Sequence, residues 1–380
     1  MSGIGRQDEA HMATPELIEA HGYKAETHKI WTEDGYGLAV HRVLPSNDRV
    51  PSVPNIDSTI NTSTDCSVEC HNSSASVEAP ESRGSASSRL PVLLCHGLLS
   101  SSSDWVLLGP HEALSYVLCD SGYDVWLANC RGNTYSKYHK HYTRRDREFW
   151  NFSWHEIGYY DLPAMIDYIL KETGHSDLYY IGHSQGTTVF FVMGSERPEY
   201  NAKIKGMISL APAVFLSNQR SPLITFLVHI IDLLEGLCNC WFSLIAGFGS
   251  NQLDKSIVPV IFGHFPAGSS TRQIFHFASI IHSGLFRKFD YGAKTNLALY
   301  GSTQPPKYSL ERVKAPVALF YSDNDLLIHH SDVQKLASTL PNVIEVKKVA
   351  YEKFNHIDYL WGRDARTLLY NGVVALLKKF

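Results

Sequence analysis

The sequence contains no long basic run and little cysteine. Its 380 residues carry 34 Lys and Arg against 38 Asp and Glu, a formal net charge of −4, and this balance argues against a dedicated nucleic-acid binder. Seven cysteines in a chain of this length exclude a small scaffold held together by disulfides. Hydrophobic residues make up 44% of the chain and charged residues 19%, so a large buried core is expected and a wholly disordered chain is excluded.

The first 21 residues also lack the apolar core of a secretory signal peptide. They contain five charged residues instead: Arg6, Asp8, Glu9, Glu16 and Glu19. We therefore expect either a leader outside this chain or an intracellular protein. The most apolar stretch, residues 222–248, is interrupted by Asp232 and Glu235. A membrane-spanning helix needs about 20 apolar residues, so we predict an amphipathic or buried segment there.

A serine-rich segment, residues 51–89, differs in composition from the rest of the chain. It includes 11 Ser and 3 Thr but no Phe, Trp or Tyr. Such a segment cannot bury enough apolar surface to offset its ordering entropy, about 1–2 kcal/mol per residue for the backbone alone. We predict a disordered surface insertion. Its Cys66, Cys70 and His71 indicate a metal site only weakly, and a local disulfide or free thiols explain the spacing better.

Short apolar runs alternate with helix-length segments through most of the chain. Residues 26–31 and 37–43 predict two antiparallel strands, joined by a hairpin turn at Asp34 and Gly35, where glycine permits a positive φ. Further strands are predicted at residues 91–95, 123–128, 178–181, 204–210, 316–321 and 343–350. Helices are predicted at residues 111–121, 154–173, 185–197, 331–340 and 365–379.

This alternation predicts an α/β fold, in which a mostly parallel central sheet is flanked by helices. The carboxyl ends of the parallel strands then share one edge, where ligands bind in such sheets. The alternation is absent between residues 217 and 300, which are rich in helix-forming sequence. We therefore expect a core formed by residues 1–216 and 301–380, with residues 217–300 inserted as a helical cap over that edge.

Residues 182–186, Gly-His-Ser-Gln-Gly, match the pattern G-x-S-x-G between a predicted strand and a predicted helix. This is the context of a nucleophile elbow, in which the serine backbone is strained and the two glycines leave room for neighbouring chain segments. The helix that follows places positive partial charge beside a developing oxyanion. Ser184 is therefore the predicted nucleophile. The alternative is a tight strand-to-helix turn with an incidental serine.

A nucleophilic serine needs a histidine base and a carboxylate that orients the base. In this fold the acid and then the histidine follow the serine along the chain. Asp323 and Asp325 both follow the strand predicted at residues 316–321, and either could supply the carboxylate. His356 lies in the last loop before the C-terminal helix and is the predicted base. Asp358 is expected to cap or solvate the next helix.

An oxyanion hole needs two backbone N–H groups. One is predicted at Gln185, the residue after the nucleophile. The other is predicted at Leu98, in the loop after the strand at residues 91–95, where Gly97 allows a close backbone approach. His96 is interpreted as a residue that shapes this loop, with a role as a second base left as the alternative.

Four motifs together resemble the acid lipase family, which includes gastric lipase, lysosomal acid lipase and insect lipases. They are residues 96–99 (His-Gly-Leu-Leu), 124–133 (Asp-Val-Trp-Leu-Ala-Asn-Cys-Arg-Gly-Asn), 182–186 and 354–358 (Phe-Asn-His-Ile-Asp). The resemblance covers nearly the whole chain outside residues 51–89. It implies an α/β-hydrolase fold, a lid-bearing cap and hydrolysis of acylglycerols or sterol esters. It also implies that Asp325 is the acid, because the family's acid directly precedes a Leu-Leu pair, here Leu326 and Leu327.

The predicted reaction is hydrolysis of a lipid ester through an acyl-enzyme on Ser184, with His356 as the base and Asp325 as the acid, and it requires no metal or organic cofactor. Apolar residues between 223 and 234 predict either contact of the cap with a lipid droplet or membrane surface, or ordinary packing inside the cap. Two other functions remain open. One is a soluble carboxylesterase or thioesterase, and the other is a non-catalytic lipid carrier, against which the intact triad argues.

The resemblance further implies a secreted or lysosomal protein. Asn61, Asn72 and Asn151 begin N-x-[ST] sequons, which predict glycosylation in that setting. Cys238 and Cys240 lie in the predicted cap. Two cysteines with one residue between them rarely bridge each other, so no pairing is assigned.

Overall fold

A computed structural model of the chain describes residues 6–46, 88–221 and 250–380. Several predictions made above lie outside these ranges. They are the insertion apart from its last two residues, the apolar stretch at 222–248, the cysteines Cys66, Cys70, Cys238 and Cys240, His71, and the sequons at Asn61 and Asn72. No helix within the described ranges is long and apolar enough to cross a membrane.

The described residues form one nine-stranded sheet. Its strands are β1 (Tyr23–Trp31), β2 (Tyr36–Pro45), β3 (Pro91–Cys95), β4 (Asp124–Leu127), β5 (Tyr138–His139), β6 (Leu178–His183), β7 (Ile204–Leu210), β8 (Val317–Tyr321) and β9 (Val343–Lys348). The order across the sheet is β1-β2-β4-β3-β6-β7-β8-β9, and β5 also pairs with β2. The first two strands are antiparallel, whereas β4, β3 and β6 to β9 run parallel. The predicted α/β fold is confirmed.

The burial of each strand follows its place in the sheet. The central strands β3, β4 and β6 are buried along their whole length, as their continuous apolar runs predict for strands covered on both faces. The edge strand β1 is partly exposed. The predicted hairpin between β1 and β2 is confirmed, and Gly35 takes a φ of +95° in its turn. The short strand β5 was not predicted, because two residues carry no periodic pattern.

Helices flank the sheet. The α-helices of four or more residues before the predicted cap are α1 (Arg6–Glu9), α2 (Thr14–Ala20) and α3 (Leu114–Asp120), followed by α5 (Leu162–Thr173) and α6 (Gln185–Glu196). The single turn α4 (Trp154–Glu156) leads into α5 through a π-helical turn, Ile157–Asp161. The predicted helix at 154–173 is therefore helical throughout but wider in its second turn. Gly158 allows this turn to touch α6, since a Cβ there would lie 2.6 Å from the Val189 carbonyl oxygen.

The described part of the predicted cap is helical. Residues 250–300 contain α7 (Val258–His264), α8 (Thr271–Ser283) and α9 (Ala293–Tyr300). The sheet then resumes with β8, followed by α10 (His330–Thr339), β9, α11 (Asp358–Trp361), a π-helical turn at Arg366–Tyr370 and α12 (Asn371–Leu377). The boundaries of the cap, residues 217 and 300, stay a prediction.

A buried arginine ties the loop after β4 to two other elements. The Arg131 side chain is fully buried, and its Nη1 and Nη2 lie 2.6 and 2.9 Å from the two carboxylate oxygens of Asp34 in the β1–β2 turn. Its Nε donates to Asp161 Oδ1 at 2.7 Å, and its backbone N–H donates to the other oxygen of Asp161. The guanidinium also lies 4.0 Å from the centre of the Tyr36 ring. Because Asp161 is itself fully buried, the arginine supplies the charge that its carboxylate requires.

Replacing this arginine tests the role of the buried pair. Arg131→Met leaves the Asp161 carboxylate buried without a cation, so the free energy of unfolding should fall by about 3–5 kcal/mol. The double variant Arg131→Met, Asp161→Leu should recover much of that loss, since it removes both fully buried charges and leaves only the partly exposed Asp34 carboxylate without its partner. Urea unfolding of the three proteins measures the effect. An unchanged stability in the single variant would show that the pair does not hold these elements together.

Candidate active site

Ser184 lies at a strained turn between β6 and α6. Its backbone has φ +52° and ψ −118°, a conformation that residues other than glycine rarely adopt. The two glycines of the motif explain how the chain accommodates it. A Cβ at Gly182 would lie 2.7 Å from the Gly186 carbonyl oxygen, and a Cβ at Gly186 would collide with the backbone of Cys95 in β3. Both positions therefore require glycine for space.

Hydrogen bonds to neighbouring segments hold this turn in place. The Ser184 N–H donates to the Leu210 carbonyl at the end of β7, at 3.0 Å. The Tyr180 hydroxyl donates to the Gly186 carbonyl at 2.7 Å. The Thr187 hydroxyl donates to the Ser184 carbonyl at 2.6 Å and accepts from the Ala213 N–H at 2.9 Å. The strained backbone is thus fixed by hydrogen bonds to β6, to β7 and to the segment that follows β7.

His356 and Asp325 are hydrogen-bonded to each other. His356 Nδ1 lies 2.7 Å from Asp325 Oδ2, and both side chains are buried. The other carboxylate oxygen of Asp325 accepts from the backbone N–H groups of Leu327 and Ile328, each at 2.9 Å. An ionised Asp325 makes His356 carry its proton on Nδ1, which leaves Nε2 as a proton acceptor. Asp323, the alternative acid, instead forms an exposed ion pair with Lys348.

His183, the residue before Ser184, connects the turn at Ser184 to the loop that carries His356. His183 Nε2 donates to the His356 carbonyl at 3.0 Å, and the two imidazole rings are 4.8 Å apart. Burial and the neighbouring His356 hold the pKa of His183 well below its usual value, so His183 stays neutral. His183 was not among the predicted site residues, and its only signal in the sequence is its position inside the G-x-S-x-G motif.

A capping arrangement shapes the loop that carries His356. The Asn355 side-chain oxygen accepts from the N–H groups of Ile357 and Asp358, each at 3.1 Å, and Asp358 Oδ2 accepts in turn from the Asn355 N–H at 2.8 Å. Asp358 also accepts from the Ser250 hydroxyl at 2.7 Å. Burial raises the pKa of Asp358 to about 6. Asp358 therefore lies buried at the start of α11, where its carboxylate completes the capping arrangement of Asn355.

The loop after β3 lies against the turn at Ser184. A Cβ at Gly97 would lie 3.4 Å from the Ser184 Cβ. His96 Nδ1 donates to the Gly97 carbonyl at 2.8 Å, while its Nε2 accepts from the Cys130 N–H at 3.1 Å. Burial lowers the pKa of His96 to about 4, which keeps the ring neutral. The carbonyl and N–H of one peptide plane point in opposite directions, so this bond turns the Leu98 N–H away from His96.

The two predicted oxyanion donors come from the start of a helix and from a neighbouring loop. Gln185 is the first residue of α6, where a helix leaves its N–H groups without an internal partner, and Leu98 stands in the loop beside it. Leu99, the next residue, has φ +62°, and its carbonyl accepts from the Ala267 N–H at 2.6 Å. This bond connects the loop to the segment between α7 and α8. The arrangement can offer two N–H groups beside Ser184.

The loop continues into a run of buried serines that ends at a buried aspartate. Ser100, Ser101, Ser102, Ser103 and Asp104 are all buried. The Ser100 hydroxyl donates to Asp104, and burial raises the pKa of Asp104 to about 7.

No cluster of His, Cys, Asp or Glu suited to a metal ion is found among the residues that the structure describes.

The chain matches two family models and is similar in sequence to known lipases. The family model for the alpha/beta hydrolase fold matches residues 91–233, and that for a partial alpha/beta-hydrolase lipase region matches residues 14–109. Lipase 3 of Drosophila melanogaster is 40% identical over 96% of this chain and 92% of its own length. Gastric triacylglycerol lipase of Bos taurus is 34% identical over 98% of this chain and 93% of its own length.

Two further similarities extend this result. A putative lysosomal acid lipase/cholesteryl ester hydrolase of Crotalus adamanteus is 32% identical over 99% of this chain and 92% of its own length. Among solved structures, a putative lipase from Acinetobacter baumannii superposes with a TM-score of 0.57 over 99% of this chain and 97% of its own, at 11% identity. At that identity the superposition supports the fold alone.

The buried Asp104 predicts a pH dependence of stability. Its pKa is about 7 in the folded chain and 3.8 in the unfolded one, so the folded state retains a proton that the unfolded state releases. Stability from this group is present below about pH 4 and is lost as the pH rises to about 7, by up to about 4 kcal/mol. Asp104→Asn removes this loss. Urea unfolding across that pH range should therefore show the variant gaining stability relative to the parent as pH rises, and a constant difference would contradict the assignment.

Proposed function

The chain belongs to the acid lipase family of α/β hydrolases, and on that premise we propose that Ser184, His356 and Asp325 form its catalytic triad, with the N–H groups of Leu98 and Gln185 as the oxyanion hole. The protein is a lipase that hydrolyses lipid esters. The observation that carries the triad is the buried hydrogen bond between Asp325 and His356, beside the strained turn that presents Ser184.

In the first half of the reaction, the Ser184 oxygen attacks the ester carbonyl while His356 Nε2 takes the serine proton. Asp325 stabilises the imidazolium and keeps the ring oriented. The carbonyl oxygen becomes an oxyanion that accepts hydrogen bonds from Leu98 and Gln185. The helix dipole of α6 adds positive potential at the same point. His356 then donates its proton to the leaving alcohol, which departs and leaves the acyl group on Ser184.

In the second half, water replaces the alcohol. His356 removes a proton from the water, the resulting hydroxide attacks the acyl-enzyme, and a second tetrahedral oxyanion forms in the same hole. Its collapse returns the proton to Ser184 and releases the fatty acid. The neutral His183 supports this cycle through its bond to the His356 carbonyl, which keeps the histidine loop against the nucleophile turn.

The substrate class within lipid esters is a further part of the proposal. The relatives named above include a triacylglycerol lipase and a putative cholesteryl ester hydrolase, so we assign long-chain triacylglycerols and sterol esters as the candidate substrates. By the same likeness we assign the protein to a secreted or lysosomal setting. Asn151 is exposed, so its sequon is available for glycosylation there. Contact of the cap, residues 217–300, with a lipid droplet or membrane surface is part of the same proposal.

Removal of the nucleophile tests the triad first. Ser184→Ala should lower kcat by about 10⁴- to 10⁶-fold, because the acyl-enzyme can no longer form. Ser195→Ala is the matched control, since Ser195 is a buried serine on α6, the helix that follows Ser184, and its hydroxyl has no hydrogen-bond partner among the described residues. Release of fatty acid from emulsified triacylglycerol measures both. Activity of Ser184→Ala within about tenfold of the parent would exclude Ser184 as the nucleophile.

The two neighbouring aspartates provide a matched pair. Asp325→Asn keeps the shape of the side chain but removes the charge that orients His356, so kcat should fall by about 10⁴-fold. Asp323→Asn alters only an exposed ion pair with Lys348 and should leave kcat unchanged. Equal losses in both variants, or a larger loss in Asp323→Asn, would contradict the assignment of the acid.

The loop histidine gives an independent test of the oxyanion hole. His96→Ala removes the bond that orients the Gly97–Leu98 peptide, so kcat should fall by up to about 10²-fold, the cost of one lost donor. KM should change little, because the oxyanion exists only during the reaction. Steady-state kinetics on a soluble short-chain ester separate the two constants. An increase in KM at constant kcat would argue against this role of His96.

A further inference from the structure

A basic segment follows β4 in a chain that is acidic as a whole. Residues 137–147 contain five Lys and Arg against one Asp, a formal charge of +4, whereas the whole chain carries −4. Lys140, Arg144, Arg145 and Arg147 are exposed, and none of them forms an ion pair within the part of the chain that the structure describes. The single acid, Asp146, accepts hydrogen bonds from the Thr143 N–H and hydroxyl at 2.7 and 2.9 Å.

Exposed aromatic rings accompany these cations. Trp31, Tyr138 and Tyr142 are 51%, 59% and 42% exposed, which places them among the few large apolar side chains that the described fold leaves in water. Trp31 and Tyr138 are neighbours because Gly37 lies between them without a side chain: a Cβ there would be 3.0 Å from the Tyr138 Cβ and 3.2 Å from the Trp31 ring. Lys140 Nζ lies 5.6 Å from the centre of the Trp31 ring.

The segment is held rigidly although its side chains are exposed. His139 Nε2 donates to the Asp34 carbonyl, and its Nδ1 accepts from the N–H groups of His141 and Tyr142. The Tyr142 ring stacks on the His139 ring at 4.7 Å. Trp150 Nε1 donates to the Arg144 carbonyl at 2.9 Å. Ordering exposed side chains on a fixed backbone lowers the entropy cost of binding at this surface.

The surface lies at the end of the sheet where the parallel strands have their carboxyl ends. The segment leaves the carboxyl end of β4, and β5 within it pairs with the start of β2. Ser184 follows the carboxyl end of β6, a parallel strand of the same sheet. A surface at this edge can contact the phase from which a lipid substrate enters.

We propose that Trp31, Tyr138, Lys140, Tyr142, Arg144 and Arg145, here called the basic–aromatic surface, bind an interface made of anionic phospholipid. Tryptophan and tyrosine rings partition into the headgroup layer of a membrane, and lysine and arginine bind its negative charge. This combination distinguishes a phospholipid interface from a purely charged polymer. The inference rests on the hydrolysis of lipid esters, whose substrates lie at such an interface, but not on the identity of the triad.

Flotation with lipid vesicles tests the cationic part of the surface. The protein carries Ser184→Ala so that the lipid is not consumed, and the vesicles are phosphatidylcholine alone or phosphatidylcholine mixed with phosphatidylglycerol. Binding should require phosphatidylglycerol and should weaken when NaCl rises from about 0.1 M to about 1 M, which shortens the Debye length from about 10 Å to about 3 Å. The variant Lys140→Gln, Arg144→Gln, Arg145→Gln should bind about 100-fold more weakly, or about fivefold per cation.

A control variant with the same change in net charge tests whether the effect belongs to this surface or to the overall charge of the protein. Lys294, Lys307 and Lys314 are exposed and form no ion pair among the described residues, so changing all three to Gln alters the net charge by the same amount. This control should bind vesicles like the parent. If it loses as much binding as the first triple variant, the effect belongs to overall charge and the proposal is overturned.

The aromatic residues supply the second criterion. Trp31→Ser combined with Tyr138→Ser should weaken vesicle binding even at about 1 M NaCl, where the charge contribution is screened. Unchanged binding in this variant, or binding of the parent to heparin but not to anionic vesicles, would contradict a phospholipid interface. Circular dichroism of each variant verifies folding. Vesicle binding needs no hydrolysis, so its failure is separable from a failure of the triad, which appears only in ester cleavage.

Discussion

The site depends on how closely the backbones of β3, β6 and α6 approach one another around Ser184. The serine can occupy its strained conformation only because Gly182 and Gly186 leave space for the adjacent turn and for β3. The same approach brings the loop at Gly97 against the serine side chain. Strain of this kind costs of order 1–3 kcal/mol, which the hydrogen bonds of the flanking strands and the buried sheet must offset. The packing of the parallel sheet therefore determines the geometry available for catalysis.

Hydrogen bonds connect the remaining parts of the site across long distances in sequence. Asp325 joins the end of β8 to His356 in the last loop, and His183 joins that loop to the nucleophile turn. His96 orients the loop after β3 through bonds to the Gly97 carbonyl and the Cys130 N–H. Within each of these imidazole rings, the two nitrogens have different surroundings. Burial holds the pKa values of His183 and His96 below their usual value, so both act as neutral hydrogen-bonding groups.

Much of the fold could be predicted from the sequence, because parallel strands buried on both faces produce continuous apolar runs. The antiparallel hairpin was also recognisable from Asp34 and Gly35. The two-residue strand β5 and the π-helical turn in residues 157–161 were not, since both arise from contacts with distant segments that local sequence does not encode. The nucleophile motif was visible as a pattern. The burial of Asp358 could not be predicted, because it depends on the Asn355 cap and on Ser250, which is far from Asp358 in sequence.

If the proposed triad is right, Ser184 is the one activated nucleophile among the serines of the chain. An alkyl fluorophosphonate labels such a serine covalently, and peptide mapping of the labelled protein identifies it. We expect a single modified residue, Ser184, and loss of labelling when His356 is changed to Ala. Labelling at another serine, or equal labelling of Ser184 without His356, would contradict it.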